Sequence, residues 1–148
     1  MNIDHAGQLK ILRERVSKVA ALTIEERSLG KWFMEEKPDL TALYGQINHF
    51  NPNFHRRNAA AWQKAMDGLL DPDQLVSMDA LDSVHCPTLI VVGEADPIVP
   101  VHIMEEVQAR IPGCELEVVP RAAHSAYFEQ PYMFNERVLH FLAPMRKA

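Results

Sequence analysis

Over the first 80 residues, apolar positions recur at helical spacing and strand-like runs are missing. Leu9, Leu12, Val16 and Val19 define one amphipathic helix. Thr23-Ile24-Glu25-Glu26 fits a capping box, in which the threonine hydroxyl accepts a free backbone N–H and the glutamate reaches back. The helix opened by this box is expected to bury Leu29, Trp32 and Phe33. Pro38 suits the first turn of the next helix, where its missing N–H would have no partner. That helix offers Leu40, Leu43, Tyr44 and Ile47 along one face. Asn51-Pro52-Asn53 interrupts the chain, and a fourth helix is expected to carry Ala59, Trp62, Met66 and Leu69 up to Asp71-Pro72-Asp73.

The period changes near residue 85. Thr88-Leu89-Ile90-Val91-Val92 is β-branched and apolar between Pro87 and Gly93, which predicts a buried strand. Val101 to Ile111 returns to helical spacing and stops at Pro112-Gly113. A second strand is expected over Glu115 to Val119. A last helix is expected from Pro131 to Leu142, with Phe134, Val138 and Phe141 inward. Strand, helix and strand with a crossover of this length imply parallel pairing. The fold class is therefore α/β, with a helical region over 1–80 and a parallel βαβ unit plus a C-terminal helix over 81–148. Two strands make a poor parallel sheet, because each wants neighbours on both sides. The open edge predicts either a piece of a larger domain or a subunit that completes its sheet with another chain.

Composition narrows the function classes. An apolar content of 47% in 148 residues supports one packed, soluble domain. A formal charge of −5 argues against a general nucleic-acid binder. No apolar run approaches the roughly 20 residues of a membrane helix. The first residues lack a charged-then-apolar leader pattern, so a cytoplasmic protein is expected. Cys86 and Cys114 are too few for a disulfide scaffold and are read as buried structural cysteines near the starts of neighbouring strands. Seven histidines show no H-x-x-x-H spacing, and C-x-x-C is absent, so no metal is expected. No cofactor is expected either, since six glycines form no phosphate loop.

The chemistry gathers after the two strands. The turn Gly93-Glu94-Ala95-Asp96-Pro97 follows the first, and Arg121-Ala122-Ala123-His124-Ser125 follows the second. Functional residues of open parallel sheets collect beyond the C-terminal ends of strands. Adjacent strands lie roughly 4.8 Å apart, so Asp96 and His124 can meet there. A carboxylate that accepts one imidazole N–H fixes the tautomer and leaves the other ring nitrogen free as a base. Taken singly, such an aspartate is an ordinary turn former and such a histidine an ordinary loop residue.

From Leu81 to Leu142 the chain resembles the closing segment of the α/β-hydrolase superfamily. Cys86 to Asp96 is similar to the family's acid-bearing strand and turn, and His124 stands at the histidine position. Glu129, Pro131 and Phe134 match the acid, proline and aromatic that follow that histidine. The helical part is similar to a cap, with Arg13 to Phe33 faintly like caps of 3-oxoadipate enol-lactonase-like esterases. The resemblance implies Asp96 and His124 as catalytic acid and base, and Trp32, Phe33 and Trp62 as candidates for a substrate pocket under the cap. Two departures stand out: the glycine that usually precedes the histidine is Ala123, and the G-x-S-x-G nucleophile elbow is absent. None of Ser17, Ser28, Ser77, Ser83 and Ser125 has that setting. Ser125 is read as a loop hydroxyl. The implied protein is the C-terminal portion of an ester, lactone or related carbonyl hydrolase, inactive alone and completed by an N-terminal half that carries the nucleophile. The alternative, suggested by the initiating Met1, is a stand-alone, non-catalytic relative that forms a homo-oligomer or binds a small ligand.

Overall fold

In the computed structural model, residues 3–4, 18, 22–50, 64, 68, 71 and 76–147 are described. The helices expected near 9–19 and 53–69, and with them Trp62, lie outside the described residues except for Lys18, Lys64 and Gly68. The elements run β1 (Ile3–Asp4), α1 (Ile24–Ser28), α2 (Lys31–Glu36), α3 (Pro38–His49), β2 (Val76–Ser77), β3 (Leu89–Gly93), α4 (Val101–Arg110), β4 (Glu115–Val119), α5 (Ala126–Glu129) and α6 (Pro131–Leu142). A 3-10 helix, Met78–Ser83, leads into β3, and another, Ala143–Lys147, follows α6.

β3 and β4 pair in parallel, in register from Leu89 opposite Glu115 to Gly93 opposite Val119. This is the βαβ unit expected from the sequence, with the first strand displaced by one residue toward Gly93. A separate short parallel pair, Ile3 with Val76 and Asp4 with Ser77, has no counterpart in the sequence expectations. Alternate β3 side chains serve opposite faces of the sheet. Ile90 packs with Leu81, Val107 and Ile111, the cluster formed by the 3-10 helix and α4. Val91 packs with Val119, Ala122 and Ala126, the cluster under the loop that carries His124. Arg110 fastens α4 to the 3-10 helix through Asp79 and Asp82. Gly113, at φ 71°, takes the left-handed turn between α4 and β4.

The capping box is present in full: Thr23 Oγ1 accepts the Glu26 N–H at 3.2 Å, and Glu26 Oε2 accepts the Thr23 N–H at 2.8 Å. The helix it opens does not run on to Phe33. It ends at Ser28, and Leu29 and Gly30 are extended, with Gly30 capping a second helix. The physical reason is a competing acceptor, because the Gly30 N–H bonds to the Glu129 carboxylate instead of a helical carbonyl. The expected interior holds nonetheless. Leu29 and Phe33 are each 2% exposed and form a core with Tyr44, against which Trp32 and Phe128 pack. Full burial of such side chains is worth about 1.5–3 kcal/mol each.

Pro38 does open α3, but the apolar face expected there is mostly uncovered. Tyr44 is buried, whereas Leu40, Leu43 and Ile47 are 42%, 43% and 58% exposed. Among the described residues α3 packs on α1 and α2, and Tyr44 and Gly45 are its buried positions. The cysteines also depart from expectation. Cys86 is exposed because it sits in the turn before β3, and Cys114 is half-buried beside Ile111; both are free thiols. In α6, Phe134, Val138 and Phe141 are half-buried rather than enclosed.

Gly93 ends β3 under the backbone of the His124 loop. A Cβ there would lie 2.0 Å from the Ala123 carbonyl oxygen and 2.5 Å from that of Ala122. These are backbone atoms that cannot swing aside. Gly93→Ala should therefore lower stability by about 2–3 kcal/mol, read as an earlier urea midpoint. A change below about 0.5 kcal/mol would show that the loop yields freely. Thr23→Ala, which removes the cap acceptor, should cost about 1 kcal/mol in the same measurement.

Candidate active site

Asp96 follows β3 by three residues and is placed by its own turn. Its Oδ1 accepts the backbone N–H of Ile98 at 2.8 Å and of Val99 at 2.9 Å. An aspartate that captures the amides just ahead of it is a favoured turn arrangement. Pro97 and Pro100 restrict the same turn by fixing their own φ. With Oδ1 committed, Oδ2 is left to face the next loop. It lies 2.9 Å from Nδ1 of His124.

His124 is brought there by the loop after β4. The Glu94 N–H bonds to the Val119 carbonyl at 3.0 Å and the Ala95 N–H to the Ala122 carbonyl at 2.9 Å, so the two loops are laced together beyond the strand ends. Ala123, where the resemblance implies glycine, has no positive φ; the left-handed residue of this loop is Arg121, at φ 51°. Alanine is thus tolerated without strain, and the imidazole still reaches the carboxylate. The Asp96 side chain is 5% exposed and that of His124 is 41% exposed. The carboxylate is held inside, and the ring extends from it toward solvent.

Electrostatics follow from this pairing. The hydrogen bond to Asp96 holds the His124 imidazole above its ordinary value; partial burial pulls the other way, and the Asp96 charge adds to the rise. Because Nδ1 is engaged, Nε2 is the ring nitrogen available for proton transfer.

A second buried carboxylate stands behind the loop. Glu129 is 5% exposed, and its oxygens accept the Gly30 N–H at 2.6 Å and the Ala123 N–H at 2.7 Å. Burial pushes its carboxyl above the usual range, the two backbone donors pull it down, and the Asp96 charge raises it further. Ser125 is fully enclosed: its N–H donates to the Ser28 carbonyl at 2.8 Å, and its hydroxyl shares a 2.8 Å hydrogen bond with Tyr44. In sequence Glu129 stands only as a family match and Ser125 as a loop hydroxyl. Both in fact join the helical segment to the His124 loop. The available signal was an acid among apolar residues, five positions after the histidine.

The aromatic candidates fall differently. Phe33 lies in the helical core. Trp32 is half-buried, edge-on to Phe33, with the Arg121 guanidinium 4.4 Å from its ring centroid. Arg121 also pairs with Glu36 at 2.7 Å. Trp62 lies outside the described residues. Among the described residues no cluster of three or more His, Cys, Asp or Glu side chains could hold a metal, and no helix is long and apolar enough to cross a membrane.

A parallel βαβ unit with helices against it, and an acid and a histidine on the loops after its two strands, is a partial α/β-hydrolase fold. The chain belongs to the alpha/beta hydrolase family, whose sequence model matches residues 5–137. Over 120 residues it is 29% identical to the human serine hydrolase BPHL, an overlap of 78% of this chain and 38% of that protein. A thermophilic esterase from Thermogutta terrifontis superposes with a TM-score of 0.68 at 23% identity, over 97% of this chain and 52% of that one. The enol-lactonase from Burkholderia xenovorans LB400 gives 0.62 at 16%, over 90% and 50%. At these identities the two structures show the fold alone. The chain spans about half or less of the length of these proteins.

The Asp96–His124 bond predicts a titration. Asp96→Asn should return the His124 midpoint, followed by NMR of the ring protons, toward about 6.5. Since the folded value is raised, the pair stabilises the native state fully below about pH 6.5, and that contribution is lost as pH rises through the folded midpoint. An unshifted midpoint in the variant would show that the hydrogen bond does not govern the imidazole.

Proposed function

We propose that this chain supplies the acid and the general base of a serine-type α/β-hydrolase acting on an ester, a lactone or a related carbonyl compound. The supporting observation is the 2.9 Å contact between Asp96 Oδ2 and His124 Nδ1, with the imidazole half-exposed beyond it. In this reading Nε2 takes the proton of an attacking serine hydroxyl and later returns one to the leaving group. Asp96 stabilises the imidazolium formed between these steps and stays ionised. The serine and the oxyanion donors come from a complementary segment, since no G-x-S-x-G occurs in this sequence. That segment pairs with the free edge of β3, which among the described residues bonds only to β4. The helical region then serves as a cap. Trp32 is the better placed pocket wall, being half-exposed where Phe33 is enclosed.

The test is complementation. The chain alone should neither hydrolyse a nitrophenyl ester nor be labelled by a fluorophosphonate. Mixed with a polypeptide that contains a strand–G-x-S-x-G–helix segment of this family, it should do both. In that assembly His124→Ala should abolish turnover, and Asp96→Asn should lower it by about 10⁴-fold through the wrong tautomer. Undiminished turnover in either variant removes the assignment.

A second reading, a non-catalytic module that self-associates, is favoured by the exposed apolar side chains Leu40, Leu43, Ile47 and Phe50. A stable homodimer by sedimentation, with no activity on complementation, would support it over the first.

A further inference from the structure

The proton transfers above make no use of Glu129, yet its carboxylate is among the most enclosed polar groups described. We propose that Glu129 is a positioning residue that aims the His124 imidazole at Asp96 by fixing the plane of the Ala122–Ala123 peptide, one residue ahead of the histidine. This deepens the reading of His124 as the base and rests on it.

The argument lies in one peptide unit. The Ala122 carbonyl and the Ala123 N–H belong to the same rigid plane. Its carbonyl accepts the Ala95 N–H at 2.9 Å, from the turn that carries Asp96. Its N–H donates to Glu129 Oε1 at 2.7 Å. The plane is therefore pinned at both ends, one to the acid's turn and one to Glu129. The peptide that follows His124 is pinned as well, since the Ser125 N–H donates to the Ser28 carbonyl at 2.8 Å. Ala123 and His124 stand together between two fixed planes, and this short stretch has little freedom to carry the ring away from Asp96.

Glu129 reaches further than this loop. Its Oε2 accepts the Gly30 N–H at 2.6 Å, the amide that opens α2. One carboxylate thus serves two backbone donors separated by more than 90 positions in sequence. Both donors need an acceptor, and both carboxylate oxygens are acceptors. A glutamine of the same shape offers one oxygen and one NH2. The NH2 would face a backbone N–H, so one contact becomes donor against donor. Asp96 is the charged group acting on Glu129 across the loop.

The readout is the His124 titration, because a merely structural role would lower stability without moving it. In the chain as it stands the His124 midpoint lies above the ordinary imidazole value. In Glu129→Gln, shown to be folded by urea unfolding and circular dichroism, it should fall by about half a pH unit or more. Glu129→Asp, which keeps both oxygens but shortens the arm, should fall between. Superimposable His124 curves in folded Glu129→Gln and the parent overturn the proposal. If Glu129→Gln does not fold, the unaltered chain decides. The Gly30 and Ala123 amide protons should shift together through one midpoint above the ordinary glutamate value, and the His124 ring protons should show an inflection there. Absence of that inflection overturns the proposal equally. Since nothing here depends on turnover, failure of the positioning role and failure of the hydrolase reading are separate results.

Discussion

The loop after β4 crosses the end of β3 so closely that the Ala122 and Ala123 carbonyl oxygens occupy the space a side chain at residue 93 would need. Most of the site follows from this approach. Without it, the Ala95 N–H could not reach the Ala122 carbonyl, and the turn bearing Asp96 would not be laced to the loop bearing His124. To come back over the strand so sharply the chain uses a left-handed residue, and that residue is Arg121 rather than glycine. Such a conformation costs a non-glycine residue about 1 kcal/mol or more. The cost is offset locally: the Arg121 N–H bonds to Glu94 at 3.1 Å, and its guanidinium lies over Trp32 and pairs with Glu36. The residue that carries the strain is also one that ties the loop to α2.

Two buried carboxylates flank this loop, and they are handled alike. Each accepts two backbone N–H groups, both on Oδ1 in Asp96 and one per oxygen in Glu129, and among the described residues neither is paired with a lysine or arginine. Backbone amides cannot be lost by a rotamer change, so the arrangement is rigid in a way a surface ion pair is not. It is also electrostatically tense, since the charge of Asp96 raises the carboxyl of Glu129. The imidazole relieves part of that tension when protonated, which is the same interaction that holds its own titration high. Asp96 is thus the common neighbour that acts on both His124 and Glu129.

How much of this was legible in the sequence depended on the range of the interaction. Local signals read correctly. The capping box at Thr23, Pro38 at a first helical turn, β4 from Glu115 to Val119 and α6 from Pro131 to Leu142 all rest on neighbours within a few residues. Parallel pairing, and with it the meeting of Asp96 and His124, followed from crossover length. The failures were long-range. The break at Leu29–Gly30 comes from an acceptor on α5, to which no helical period could point. For Cys86 and Cys114 the sequence offers only the average burial of cysteine, and the turn before β3 overrules that average for Cys86. The family resemblance marked Glu129 without saying what it holds.

The uncovered positions of α3 belong with the same reasoning. A helix whose Tyr44 side is fixed by a hydroxyl contact to Ser125 cannot roll to hide Leu40, Leu43 and Ile47. The polar docking of the helical segment onto the His124 loop sets the orientation of α3, and the apolar face is left where that orientation puts it. β3 shows the same order of precedence. Both its faces are occupied, by the Leu81–Val107–Ile111 cluster and by the Val119–Ala122 cluster, while one edge is unpaired among the described residues. A parallel strand buried on two faces gains most from pairing on both edges. The interactions that aim the histidine and those that leave surfaces open are thus the same set. A segment that covered the β3 edge would meet an acid–imidazole pair already oriented, and need not create it.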